Sequence, residues 1–322
     1  MIVRDLAAAD AALVDTLVDQ YPFKTYRNYR ILSRRKQSAV MRAEIDRVRH
    51  TSGSFALVAG EREDCAVAIA RPLAWDSTFF GVPMGRIDFL LRSPDATREC
   101  LRKVVNQALD GLRAAGVKHV AAKLDVADVD AVNAVESAGF RLMDALVTYI
   151  AHPRRPPMRR VKEVGHIRPF EATDGEQILE ITAEAYSGFR GRFQRDRHLP
   201  PGRSAEFYLE WARQCIAGVM ADRIYVSDDG HGRLIGWASV KRAEPVSTAG
   251  EVVVSSGSLG ACRPDRPGAY AALIGTAAIE NHAAGALTEA STQNSNLAMI
   301  RVLEAVGAQY ARADYTFHAW IE

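Results

Sequence analysis

The stretch Val302-Leu303-Glu304-Ala305-Val306-Gly307-Ala308, followed by Thr316-Phe317, restates an earlier one: Ala134-Val135-Glu136-Ser137-Ala138-Gly139-Phe140, followed by Thr148-Tyr149. The offsets agree, since 304 minus 136, 307 minus 139 and 316 minus 148 are each 168. The beginnings match as well. Val3-Arg4 with Leu6, Asp10, Val14 and Leu17 lines up with Ile167-Arg168 and Phe170, Asp174, Ile178 and Ile181. A pattern repeated in the same order at both ends is the mark of a duplicated structural unit.

The copies are not equally equipped. Where the second carries Thr292-Gln293-Asn294-Ser295-Asn296, polar groups that can hydrogen-bond a ligand, the first carries Leu124-Asp125-Val126-Ala127-Asp128. One working half and one supporting half are expected. The divisions are residues 1–151 for a degenerate first domain, 152–165 for a linker rich in proline and arginine, and 166–322 for the working domain.

A chain of 322 residues is long enough for two ordinary domains, each with its own apolar core. With 48% hydrophobic and 25% charged residues it has the composition of a folded protein. A net charge of +2, spread along the chain, argues against nucleic acid as the partner. No run approaches the ~20 apolar residues a bilayer requires, and Met1-Ile2-Val3-Arg4-Asp5 lacks the apolar centre of a signal peptide, so the expected location is cytoplasmic and not membrane-bound. Cys65, Cys100, Cys215 and Cys262 lie far apart without ligand-pair spacing, which leaves buried thiols and no metal site as the expectation.

Hydrophobic periodicity and punctuation give the element order of the second half. A short strand at Ile167 and Arg168 is followed by a helix capped within Ala172-Thr173-Asp174-Gly175 and running through Ala185. A loop from Ser187 to Arg203 precedes a helix that Ser204 can cap and Gly218 stops. Strands are expected at Ile224–Ser227, Leu234–Lys241 and Glu251–Ser256, with Asp228-Asp229-Gly230-His231-Gly232 as a hairpin turn. A helix from Ala269 to Ala284, a strand from Leu287 to Thr292, a helix from Asn296 to Val306 and a strand from Tyr315 to Ile321 complete it. The first half repeats this order. Each half is therefore α+β, a mixed and mostly antiparallel sheet flanked by helices.

This order, with Thr292-Gln293, Asn296-x-Ala298 and a helix ending Leu303-Glu304-Ala305-Val306-Gly307, resembles the GNAT superfamily of acyl-coenzyme A dependent N-acyltransferases in tandem. Trp75-Asp76-Ser77-Thr78-Phe79-Phe80-Gly81, the loop Phe189–Pro200 with Tyr208-x-x-Trp211, and Asp314-Tyr315-Thr316-Phe317-His318-x-Trp320 look like the branch that acetylates dTDP-fucosamine, the amine of a nucleotide-linked deoxyamino sugar. The likeness covers nearly the whole chain.

The resemblance implies acetyl-coenzyme A as co-substrate. The third strand of the second half, Val252, Val253, Val254 and Ser255, would pair with the pantetheine amides. The pyrophosphate would lie at the following helix start, Gly268, Ala269 and Tyr270, where unpaired N–H groups and the helix dipole favour an anion. The loop departs from the family, with Tyr270 where a second glycine is expected and Pro264 and Pro267 lacking N–H groups; Arg263 or Arg266 can compensate by direct charge. Asn296 would face the pantetheine arm or cap its helix, and Gln293 would contact a ligand or secure a strand end.

Relatives place a tyrosine acid at the position that Leu303 occupies here. Leucine donates no proton, so either the thiolate leaves unassisted or Tyr270, Tyr310, Tyr315 and His318 become candidate proton carriers, with Glu251 and Glu289 as carboxylate bases. The acceptor would meet Phe189, Arg190, Arg192, Phe193 and His198, whose arginines suit a diphosphate and whose rings can stack. Two other readings keep the fold: acyl transfer to an amino acid, peptide or other small amine, and a ligand-binding protein whose chemistry has decayed. Edge strands of such halves often pair between chains, which admits a homodimer.

Overall fold

The computed structural model describes residues 3–6, 10–61, 64–152, 164–266 and 268–322, so most of the expected linker and Pro267 lie outside the described residues. Two compact units divide the chain. The first comprises Met1–Ala145 together with Ala313–Glu322, and the second Leu146–Arg312.

The elements of the first repeat are β1 (Val3–Asp5), α1 (Ala11–Gln20), α2 (Arg34–Arg49), β2 (Phe55–Glu61), β3 (Asp64–Pro72), α3 (Ala74–Phe80), β4 (Met84–Arg92), α4 (Arg98–Ala114), β5 (His119–Asp125), α5 (Val129–Ser137) and β6 (Arg141–Ala151). The second repeat carries β7 (His166–Pro169), α6 (Gly175–Tyr186), α7 (Arg192–Arg195), α8 (Pro201–Ile216), β8 (Arg223–Asp228), β9 (Leu234–Arg242), α9 (Val246–Ala249), β10 (Val254–Cys262), α10 (Ala269–Ala283), β11 (Leu287–Gln293), α11 (Leu297–Ala305) and β12 (Gln309–Trp320).

In unit 1 the strands run β1-β2-β3-β4-β5, all antiparallel except β4 beside β5. The next strand is the chain's own C-terminal one: Asp314–Trp320 of β12 lie antiparallel on His119–Asp125. In unit 2 the order is β7-β8-β9-β10-β11, again antiparallel except for β10 beside β11, and Leu146–Ala151 of β6 close it against Thr288–Gln293. The α+β class, with strands in each unit mixed and mostly antiparallel, is what the periodicity predicts. The last strand of each repeat, however, completes the unit built mainly from the other repeat.

Phe317, 1% exposed, with Ala319 and Ile321, belongs to the core that Leu101, Val104, Val105 and Leu112 of α4 form over β2–β5. Its other face is covered by α1 and α2 through Leu17, Val18, Ile45 and Val48. In unit 2, Ile178 and Ile181 of α6, Ala212 and Cys215 of α8, and the fully buried Trp237 of β9 form a corresponding core. All four cysteines are free thiols, three of them buried, and desolvation pushes Cys100 up to about 11.

The matched starts of the repeats have a structural cause. Arg168 grips Asp174 with both terminal nitrogens at 2.8 and 2.9 Å and reaches Asp228 at 3.2 Å. Arg4 holds Asp10 in the same bidentate way at 2.6 and 2.8 Å. Such a fork ties the first strand of a unit to the start of its first helix.

Four boundaries differ from the sequence reading, one of them the last strand, which starts at Gln309 rather than Tyr315. The third strand of the second repeat is Val254–Cys262, not Glu251–Ser256: Glu251 sits in a turn at φ 53° after α9, and the strand continues through Gly257 and Gly260. Those glycines are strand residues because neighbouring backbone comes close. A Cβ on Gly260 would lie 2.7 Å from the Trp237 carbonyl and 2.7 Å from the Tyr270 ring. The helix assigned a Ser204 cap starts at Pro201, where proline's fixed φ suits a first turn, and Ser204 is buried inside it. One helical turn, α7, also forms within the expected loop.

Candidate functional site

The feature that makes a site in unit 2 is a ladder that stops. β10 and β11 pair only at Val254↔Leu287, Ser255↔Thr288 and Ser256↔Glu289. Both strands run on, β10 held by β9 through a bulge between Gly257 and Gly260, and β11 held by β6 through Gln293↔Leu146. Among the described residues no ladder joins them beyond Ser256, so the strands part as a wedge whose inner edges carry backbone groups that a ligand can satisfy. At its apex lies a cavity of about 20 Å³ lined by Tyr149, Gly257, Ile274, Ala277, Glu289 and Leu303, among others.

The α10 start stands beyond the end of β10. Gly268 holds its N-cap in the left-handed region at φ 98° with no side-chain cap, a conformation that glycine adopts without a Cβ penalty. The corresponding helix of unit 1, α4, is capped by Thr97, whose hydroxyl accepts from the Cys100 N–H. This N-terminus keeps the positive end of the dipole, while the N–H of the buried Ala269 is taken by the Arg266 carbonyl at 3.2 Å. Arg266 is exposed beside it, 3.9 Å from Asp265. Arg263 instead donates to the Leu234 carbonyl at 2.9 Å and pairs with Glu180 and Glu184 at 3.4 and 3.5 Å.

Strand alternation gives the wedge two chemical faces. Thr288, Ala290 and Thr292 turn one way: Asn281 of α10 donates to Thr288, and Asn296 donates to Thr292. Glu289 and Ser291 turn the other way. Glu289, 6% exposed, accepts the Ser256 hydroxyl at 3.2 Å and lies 3.6 Å from the buried Arg312 guanidinium. On that same strand face the Trp211 indole donates to Ser258 at 3.2 Å. Further along, Tyr186 donates to the Gly260 carbonyl at 3.0 Å. Burial pushes the phenols of Tyr186 and Tyr270 up, so both hold their protons at neutral pH.

These facts redistribute the expected site residues. Glu289, Gly268, Ala269, Tyr270, Arg266, Gln293 and Asn296 all belong to unit 2 around the wedge and the helix start. Asn296 does cap α11, its Oδ1 accepting from Met299 while its Nδ2 donates to Thr292; Gln293 ends β11. Val252 and Val253 precede β10, the Val253 carbonyl accepts from Leu287, and Val254 and Ser255 are laddered to β11. Their backbone is already committed on the β11 side, and the open stretch is Gly257–Cys262. Arg263 is held by its acidic partners and does not supply a free charge.

Tyr315 and His318 lie in unit 1, opposite Leu124 and Ala121 of β5, because β12 crosses into that sheet. His318 is buried with its ring edge-on to His119 at 4.4 Å. Glu251 stands in its turn outside the strand. Of the acceptor-loop residues, Phe193 is buried on Phe207 with the Arg192 guanidinium 4.4 Å above its ring, and Phe189 packs edge-on against Tyr186 and Tyr208. Arg190 is exposed, as is His198, 3.5 Å from Asp196. Tyr149 and Arg312 are not among the residues the sequence singled out; the Thr148-Tyr149 echo of the repeat is the signal for Tyr149.

Unit 1 handles the corresponding place differently. β4 and β5 also pair only from Met84↔His119 to Ile87↔Ala122 before β4 runs on to Arg92. Asp128, 168 residues before Asn296, is fully buried there, accepting from the Tyr21 hydroxyl at 2.8 Å and from Arg92 at 2.9 Å. Arg27 is paired with Asp125 alongside. The unit thus fills its own opening with an ionic cluster. A larger groove of about 410 Å³ between α4 and α5 is lined by Arg98, Glu99, Arg102 and Asp130, which neutralise one another in ion pairs.

No protein-family model matches the chain, and no curated protein matches it. Solved structures do. A GCN5-related N-acetyltransferase from Sphaerobacter thermophilus superposes with a TM-score of 0.61 at 15% identity, covering 99% of this chain and 95% of that one. A tandem GNAT protein from the clavulanic acid biosynthesis pathway gives 0.56 at 17% identity over 99% and 98%. An acetyltransferase of the GNAT family from Colwellia psychrerythraea gives 0.50 at 8% identity over 100% of both chains. The fold is therefore that of tandem GNAT proteins along the whole chain. Among the described residues no helix is long and apolar enough to cross a membrane.

Proposed function

We propose that unit 2 is an acyl-coenzyme A dependent N-acyltransferase centre, with acetyl-coenzyme A as donor and the amine of a nucleotide-linked amino sugar as acceptor. The observation that carries the reading is the β10–β11 ladder ending at Ser256↔Glu289 before an α10 start that no side chain caps. The carrier's amides pair with the open backbone of Gly257–Cys262. Its pyrophosphate rests on the α10 N-terminus, helped by Arg266.

The acceptor nitrogen attacks the thioester carbonyl, forming C–N as C–S breaks. Glu289 takes the nitrogen's proton, its carboxylate held by Ser256 and Arg312 on the face opposite Leu303. N–H groups at the wedge apex stabilise the tetrahedral oxyanion. Arg190 and His198 supply the exposed polar contacts for the acceptor's phosphates. Unit 1, with Asp128, Tyr21 and Arg92 filling its opening, serves as a scaffold that completes the fold.

A second acceptor class, an amino acid or other small amine, is favoured by one observation: Phe189 and Phe193 are committed to internal packing, which leaves the loop less able to stack on a base. Calorimetry with coenzyme A followed by a free-thiol assay over dTDP-linked amino sugars, amino acids and peptides decides between them. Thiol release with the sugar supports the leading reading, and release with amino acids alone transfers it to the second. Absence of carrier binding overturns both.

A further inference from the structure

We infer that Tyr149, from the last strand of the first repeat, is the group that protonates the departing coenzyme A thiolate in unit 2, in place of the acid that Leu303 cannot provide. The inference rests on the acyl-transfer reading of unit 2 and names a residue for that reaction.

Leu303 and Tyr149 line the same cavity at the wedge apex, together with Gly257 and Ala290. Most of the remaining lining, from Val240, Ile274, Ala277, Ala278, Val306 and Ala308, carries no proton to give. Thr288 is engaged by Asn281 at 3.0 Å, and Glu289 is turned to the other strand face with Ser256 and Arg312. Tyr149 brings the remaining acidic O–H.

Its placement follows from register. Tyr149 stands opposite Ala290, while Thr148 turns to the opposite face and meets the Ser291 hydroxyl at 2.8 Å. The Tyr149 ring is 9% exposed and packs edge-on against Tyr310 at 6.1 Å. Its phenol is within electrostatic reach of the Glu304 carboxylate, the residue after Leu303 in α11. Desolvation first, and then the Glu304 charge, push this phenol up, which keeps it protonated through neutral pH.

In the step, the C–S bond of the tetrahedral adduct breaks with its electron pair passing to sulfur. The Tyr149 proton goes to that sulfur, giving the free thiol. The phenolate regains a proton from water beside the exposed Glu304.

The test needs no acceptor. Coenzyme A is bound to the full chain, and the pH at which its thiol ionises is followed by thiolate ultraviolet absorbance in wild type and Tyr149→Phe. Loss of a hydrogen bond to the thiolate should raise that pH by about one unit in the variant, a tenfold shift in the equilibrium. Turnover of acetyl-coenzyme A should fall by about a hundredfold. Turnover of an aryl thioester donor, whose thiolate leaves unaided, should be little affected, whereas a structural defect would slow both donors alike.

Glu304→Gln, an exposed change that leaves the ring in place, should move the alkaline limb of turnover to lower pH, since the charge that raises the phenol is gone. Identical thiol ionisation in wild type and Tyr149→Phe, with coenzyme A bound to both, overturns the assignment of Tyr149 alone. If Tyr149→Phe does not fold, an unmoved alkaline limb in Glu304→Gln does the same. Failure of the wild type to bind coenzyme A overturns the acyl-transfer reading itself.

Discussion

Phe317 lies in the last strand of the second repeat by sequence, yet its ring is buried in unit 1 opposite Ala122. Phe317→Ala therefore removes a ring that is 1% exposed from a core shared with α4. A fully buried phenylalanine truncated to alanine loses its transfer free energy and leaves a cavity, about 3–5 kcal/mol together. At roughly 1.4 kcal/mol per factor of ten, this speeds exchange through global opening of that unit by about a thousandfold. Hydrogen exchange read by mass spectrometry on peptic fragments is the assay. Protection should fall in peptides covering β3, β4, α4 and β5, which are distant in sequence, while peptides covering β8 to β11 keep theirs. The opposite distribution, with β10 and β11 losing protection and β4 and β5 unchanged, would refute the exchange of terminal strands between units.

The fork between Arg168 and Asp174 gives a pH prediction. The Arg168 hydrogen bonds hold the Asp174 carboxyl below its ordinary value, so its stabilisation is complete above the unfolded value of about 3.9 and is lost as pH falls through the lower folded value. Arg168→Met should cost about 3 kcal/mol at neutral pH and blunt this acid limb in urea titrations; an unchanged limb would show that Asp174 does not drive it. Gly257→Ala has room for its methyl, 3.5 Å from the Ala290 Cβ, but places it in the wedge. It should weaken coenzyme A binding by about tenfold in calorimetry without lowering the melting temperature, and undiminished affinity would move the carrier elsewhere. Arg266→Ala should weaken the same binding in a salt-dependent manner, whereas Arg263→Ala should lower stability and leave affinity intact. A swap of those two outcomes would reverse their assignment.

Much of this architecture is legible in the chain because the repeat offsets and the strand and helix periods are local properties. Arg4 with Asp10 and Arg168 with Asp174 even announce the same ion pair twice. The exchange of β6 and β12 is not legible. Both strands carry the same alternation at the same point of the repeat, so either satisfies either sheet, and no local preference selects the partner. That ambiguity is why Tyr315 and His318, read with the second repeat, lie in unit 1. The reach of β10 past Ser256 is not legible because glycines weaken a strand pattern, although Gly260 marks close backbone approach. Arg263 looked available because a sequence cannot show that Glu180 and Glu184, one turn apart on α6, stand beside it.

Amide signals assigned along the chain during titration with coenzyme A test the central claim most directly. The account predicts one carrier per chain, with shifts concentrated at Gly257–Cys262 and at the α10 start from Gly268 to Ala271, and with the Asp128 cluster of unit 1 undisturbed. Saturable shifts confined to unit 1, or none at all, would contradict it.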